Sequence, residues 1–72
     1  MKPIKLERLK ELRLKKQLTQ QEISDSLNIQ REVYRRYESG QRSIPLELLI
    51  RIADYYDVSI DYITNRDKYV IK

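Results

Sequence analysis

The chain has no cysteine and no histidine. Without cysteine there are neither disulfides nor thiolate zinc sites. Without histidine the usual general base and the commonest nitrogen ligand for a transition metal are also missing. A carboxylate-only site is what remains open, and nothing in the spacing of the acidic residues suggests one. One glycine and two prolines in 72 residues is sparse punctuation, with no repeat and no low-complexity linker. The longest apolar clusters are a few residues, too short to span a bilayer. The start, Met1-Lys2-Pro3-Ile4, lacks the apolar stretch of a secretory signal. A cytoplasmic protein is expected.

What is present is helix-forming sequence with a basic balance. Fifteen lysines and arginines face eleven acidic residues, a formal charge of +4. That suits a polyanionic partner without proving one. A chain of this length makes one domain at most, burying roughly 60% of its unfolded surface. Polar residues carry regularly spaced leucines and isoleucines, the pattern of an all-helical protein.

Five helices are predicted. The first covers about residues 5–16, with Leu6, Leu9 and Leu12 as its apolar stripe and Leu14 off it. Thr19 opens the second: Thr19 and Glu22 have capping-box spacing, and Leu18 and Ile23 can staple across the start. It stops near Asn28, which tolerates left-handed backbone. The third runs from about Arg31 to Ser39, with Tyr34 and Tyr37 inward and Arg31, Glu32, Arg35 and Arg36 outward. Gly40 then supplies the positive φ of a C-terminal cap. Pro45 fits the first turn of a fourth helix reaching Tyr56, whose buried face is Leu48, Leu49, Ile52 and Ala53. Ser59 caps a short fifth helix, and Asn65 is its stop. Residues 1–65 are taken as the domain. Residues 66–72 are a tail or a dimer contact.

Residues 20–37 have the internal pattern of two helices crossed about a tight turn. Ile23 and Leu27 sit one turn apart, Ile29 plugs the turn, and Tyr34 and Tyr37 line the following helix. Ser24 is small enough for a close approach. The second helix of such a pair enters the major groove with its N-terminal residues against base edges. The candidate base contacts are therefore Gln30, Arg31, Glu32, Arg35 and Arg36. Arg31 can donate a bidentate pair to guanine, and Glu32 can accept from cytosine N4. Phosphate contacts are expected from Gln20, at the dipole-positive start of the second helix, and from Gln41, Arg42 and Ser43 in the loop after Gly40.

At this point the chain resembles the DNA-binding domains of the phage Cro and CI repressors and the bacterial regulators similar to them. The resemblance spans roughly Leu9 to Ile63. It is carried by Leu18-Thr19-Gln20-Gln21-Glu22-Ile23, Leu27-Asn28-Ile29-Gln30-Arg31, Arg36-Tyr37-Glu38-Ser39-Gly40, and the stretch from Ile52 to Tyr62. It implies a compact five-helix lambda-repressor-like fold and a sequence-specific regulator of transcription, with repression favoured over activation. It implies that Gln20 anchors a phosphate, that Arg31, Glu32 and Arg36 read bases, and that Arg13 pairs with Glu38. It implies a homodimer on a palindromic double-stranded DNA operator. Three positions depart from the usual pattern. Asn28 and Gln17 stand where glycines are usual, and Tyr34 stands where isoleucine or valine is usual.

Two other classes remain open to the sequence. A protein-interaction module, such as an antitoxin or an accessory partner of another regulator, would be favoured by an exposed apolar patch around Leu14, Tyr55, Tyr62 and Tyr69. An enzyme would need a nucleophile–base pair, a glycine-rich phosphate loop or a ligand cluster, and none is evident. No catalytic residue, cofactor or metal is expected. A chain this short has no room for a separate ligand-sensing domain.

Overall fold

The computed structural model describes residues 6–65. It is an array of α-helices in the order α1 (Glu7–Lys15), α2 (Gln20–Leu27), α3 (Arg31–Ser39), α4 (Leu46–Tyr56) and α5 (Ile60–Ile63). The tail or dimer contact expected at residues 66–72, including Tyr69, lies outside the described residues.

Leu9, Ile23, Tyr34 and Ile52 are completely buried, and Leu27, Ile63 and Ala53 nearly so. One residue or more from each helix thus meets in a common core. Around it, α2 packs on α3, α1 touches α3 and α5, and α4 touches α5. Ser24 is also completely buried, and its hydroxyl donates to the Gln20 carbonyl at 2.6 Å. The small residue therefore satisfies its own polar atom within α2 while leaving α3 room to close in. Leu14 is 54% exposed, off the α1 stripe.

The helix starts follow the sequence closely. The Thr19 hydroxyl accepts from the Glu22 N–H at 3.0 Å, and the Glu22 carboxylate accepts from the Thr19 N–H at 2.8 Å. This reciprocal box satisfies two backbone donors that α2 would otherwise leave open. Ser59 caps α5 by accepting from the Tyr62 N–H. Pro45 lies one residue earlier than its helical position in the sequence reading: it is the residue before α4, at φ −60°.

The helix ends share one device. Gln17, Asn28, Gly40 and Asp57 all adopt left-handed backbone, at φ 58°, 58°, 82° and 56°. In each case the next N–H bonds back five residues: Leu18 to Arg13, Ile29 to Ser24, Gln41 to Arg36 and Val58 to Ala53. These are Schellman closures. In three of them the residue that follows, Leu18, Ile29 or Val58, packs against the core. Only Gly40 takes this conformation without a Cβ penalty; elsewhere left-handed backbone costs roughly 1 kcal/mol or more. Gln17 has no short side-chain oxygen to offset that cost. Gln17→Gly is therefore expected to raise stability by about 0.5–1 kcal/mol, a gain of a few degrees in Tm. A thermal melt followed by circular dichroism reads it directly, and an unchanged or lowered midpoint would contradict the strain argument.

The Arg51 guanidinium donates to the Leu27 carbonyl. It closes the C-terminus of α2 from α4 and fixes the turn into α3. Arg8 ties the opposite end together. Its guanidinium lies 4.2 Å from the Tyr62 ring centroid and donates to the Tyr62 carbonyl at 2.9 Å, joining α1 to α5.

Candidate nucleic-acid interface

The inner face of α3 is filled by Tyr34, Tyr37 and Glu38, all buried. A helix held on that side has only its other side to offer. Arg31, Glu32 and Arg36 are exposed there, with Arg35 half-buried beside them. Gln30 is exposed at the N-cap of α3, and its side chain makes no capping bond. Arg31 makes no hydrogen bond or ion pair with any other described residue. It lines an open concave surface together with Thr19, Gln20 and Gln21 from the start of α2. The first turn of α3 and the dipole-positive end of α2 thus share one hollow.

The loop after α3 is drawn back onto the helix. The Gln41 and Arg42 N–H groups both donate to the Arg36 carbonyl, at 2.9 and 3.2 Å. Gln41, Arg42 and Ser43 are all exposed.

Below this surface lies a buried polar network. Arg13 Nε donates to Glu38 Oε2 and Arg13 Nη2 to Glu38 Oε1, both at 3.0 Å. Arg13 Nη1 donates to the Leu18 carbonyl at 2.9 Å. One guanidinium therefore links α1, the turn before α2, and the end of α3. Relative exposure is 8% for Arg13 and 6% for Glu38. Burial pushes the Glu38 carboxyl upward, but the hydrogen bonds from Arg13 and the nearness of Tyr34, Gln20 and the Arg13 charge outweigh it. The group is held below the usual carboxylate range.

Gln20 joins this network: its Nε2 donates to Glu38 Oε1 at 3.3 Å. An ionised carboxylate can only accept, so the amide must turn its nitrogen inward. Sequence reasoning placed Gln20 on phosphate and did not see that Glu38 orients it. The Tyr34 hydroxyl is buried and feels the Glu38 charge, yet meets hydrogen-bond geometry with no described group. Burial, then Glu38, pushes that phenol far above its ordinary value. The larger side chain thus fills the core instead of reaching the surface of α3.

A second cluster sits on the exposed side of α3. Glu32 accepts from Arg35 Nε at 3.0 Å and Arg35 Nη2 at 2.6 Å, and lies 3.5 Å from Arg36 Nε. The Arg35 hydrogen bonds, aided by both cationic charges, lower the Glu32 carboxyl to about 2. The spacing of three and four residues was a legible signal for these pairs. A role for Glu32 as a base contact alone takes no account of it. The Arg51 cap on α2 was missed as well; only the folded arrangement brings it to Leu27.

Elsewhere, Leu14 and Tyr55 are exposed, while Tyr62 is half-buried under Arg8. Among the described residues no helix is long and apolar enough to cross a membrane, and no cluster of three potential metal ligands occurs.

Comparison with known proteins gives a consistent result. A helix-turn-helix family model matches residues 9–63. The chain is 46% identical over 57 residues to the HTH-type transcriptional regulator YqaE of Bacillus subtilis, covering 79% of this chain and 49% of that protein. It is 43% identical over 63 residues to the HTH-type transcriptional regulator AnsR of the same organism, covering 88% and 54%. The crystal structure of a transcriptional regulator from Listeria innocua superposes with a TM-score of 0.76 at 32% identity, covering 88% of this chain and 59% of that one. The chain thus spans about half the length of the curated relatives it matches.

Proposed function

The chain belongs to the Cro/CI-type helix-turn-helix family of transcriptional regulators, and from that premise we propose that it is a repressor that reads operator DNA in the major groove with α3. The observation that carries the reading is the joint placement of Arg31 and the start of α2 on one concave surface, with the far side of α3 locked in the core. A helix so held can lie in the groove while the neighbouring helix start faces the backbone.

In this reading Gln30, Arg31, Glu32, Arg35 and Arg36 approach base edges. Arg31 takes guanine O6 and N7 as a fork, and Glu32 accepts from cytosine N4. Gln20 keeps its second amide N–H for a phosphate, since Glu38 uses the first. Backbone N–H groups at the start of α2 add to that contact. Gln41, Arg42 and Ser43 meet a neighbouring phosphate, positioning the reader without choosing the sequence. Two copies bind a palindromic operator as a homodimer, and occupancy blocks polymerase.

Selection from a random-sequence duplex library at one fixed salt concentration tests this. An enriched palindrome supports a dimeric reader. An enriched single half-site keeps the reading of α3 and removes the dimer. A folded protein that enriches nothing overturns autonomous DNA recognition, and the exposed Leu14 and Tyr55 would then direct attention to a partner protein.

A further inference from the structure

The exposed carboxylate of Glu32 is already occupied. It holds Arg35 by a two-bond fork and lies within ion-pair distance of Arg36. Three of the five side chains assigned to base edges are therefore engaged with one another in the free protein, whereas Arg31 is not. Resting on the reading above, we propose that Glu32 is an internal counter-ion for the reading helix: it withholds Arg35 and Arg36 from arbitrary DNA and releases them only where the duplex offers the carboxylate a donor in exchange.

The argument is one of competing ligands. A carboxylate and a phosphate are alternative acceptors for the same guanidinium fork. On a duplex of arbitrary sequence there are two unfavourable choices. If Arg35 and Arg36 stay on Glu32, they neutralise fewer phosphates. If they leave, Glu32 stands unpartnered against a polyanion. A base pair that presents an amino donor to Glu32, such as cytosine N4, removes the dilemma: the carboxylate changes partner and both arginines are freed together. Specificity then arises partly from a penalty on wrong sites, not only from contacts at the right one. The exposed location sets the scale. An isolated surface pair is weak, but the fork and the second arginine add to it, and removing the acid also removes like-charge repulsion.

The test uses wild-type protein, Glu32→Gln, the Arg35→Gln/Arg36→Gln pair, and all three substitutions combined. Affinity for a short mixed-sequence duplex is measured by fluorescence anisotropy across a salt series. Glu32 and Arg36 are exposed and Arg35 is half-buried, and far-ultraviolet circular dichroism checks that each variant is folded. Glu32→Gln is expected to tighten binding about tenfold at low salt and to steepen the log–log salt slope by about one to two. In the background lacking both arginines the same substitution is expected to change affinity by less than about threefold, because only the general charge effect remains. Equal tightening in both backgrounds overturns the proposal, since repulsion alone would then explain it. Unchanged affinity for Glu32→Gln in a wild type that does bind overturns it too, and leaves the DNA-binding reading standing. If wild type and every variant fail to bind duplex at any salt, the DNA-binding reading itself falls and the proposal with it.

Discussion

Glu38→Ala is expected to cost about 3 kcal/mol of folding free energy, a loss of roughly 12–24 °C in Tm. The reason lies in what it leaves behind. Arg13 is 8% exposed and directs Nε and Nη2 at the carboxylate. With the acid gone, a cation remains in a place with little water and, among the described residues, one remaining acceptor, the Leu18 carbonyl. The cost sits at the lower end of the range for a broken buried pair because this one lies just beneath the surface, where local rearrangement can admit solvent. A domain of this size has roughly 4–11 kcal/mol in total, so the variant should be partly unfolded when warm. The comparison that decides the cause is Arg13→Met with Glu38→Leu. Replacing both members by apolar groups is expected to recover most of the loss. Urea denaturation of the single and double variants reads this. If the double variant is as unstable as the single one, the cost came from lost packing and not from an orphaned charge.

The same pair predicts an acid limb. The folded carboxyl of Glu38 lies below its unfolded value. Its contribution is therefore complete above the unfolded value, near the ordinary carboxylate range, and is lost as the pH falls through the folded one. Wild-type stability should fall on acidification in that window, and the doubly apolar variant should show a shallower fall.

Arg31→Ala should behave in the opposite way. The side chain is exposed and engages no other described residue, so its removal is expected to leave the melting curve within about 0.5 kcal/mol of wild type. On a selected operator half-site it is expected to weaken binding roughly 10- to 100-fold, the cost of a lost bidentate base contact of about 1–3 kcal/mol. On a two-fold operator the loss is counted twice. The selected sequence should relax at one position per half-site, with the remaining positions kept. A uniform weakening on all sequences, with a salt slope reduced by about one, would instead make Arg31 a phosphate contact. The two substitutions thus separate folding from reading: one removes the support of α3, the other only what it presents.

Local chemistry made most of the fold legible. The Thr19–Glu22 box, the Ser59 cap and the turn residues Asn28 and Gly40 act within a few residues of themselves, so their spacing in the chain is their spacing in space. The buried tyrosines of α3 followed from period and size. Interactions across long separations were less accessible. Nothing near Arg51 announces that it will close α2, because Leu27 becomes its neighbour only when α4 docks. In the sequence Gln20 is a polar residue at one helix start, and its attachment to Glu38 requires α3 to be in place. Asp57 lacks glycine's signature, and its left-handed backbone shows only in the folded turn. Glu32 is a different case. Its partners are local, at three and four residues, but an outward position on the helix does not by itself distinguish a paired charge from a free one.

The left-handed helix ends carry a consequence for how this protein can change. Gln17 and Asp57 each hold a conformation that a residue with a Cβ enters at a cost, and neither lies on α3. They sit in separate turns, so relief at one should add to relief at the other. This is a latent mutational reserve. On the proposed reading, respecifying the bases that α3 contacts means trying residues there that are poorer helix formers or unbalance its charges, and a domain this small tolerates few such trials. Glycine at positions 17 and 57 would widen that tolerance without altering α3 itself, position 57 lying away from the concave surface that Gln17 shares with Arg31. The route by which such a protein acquires a new operator can therefore begin at the turns.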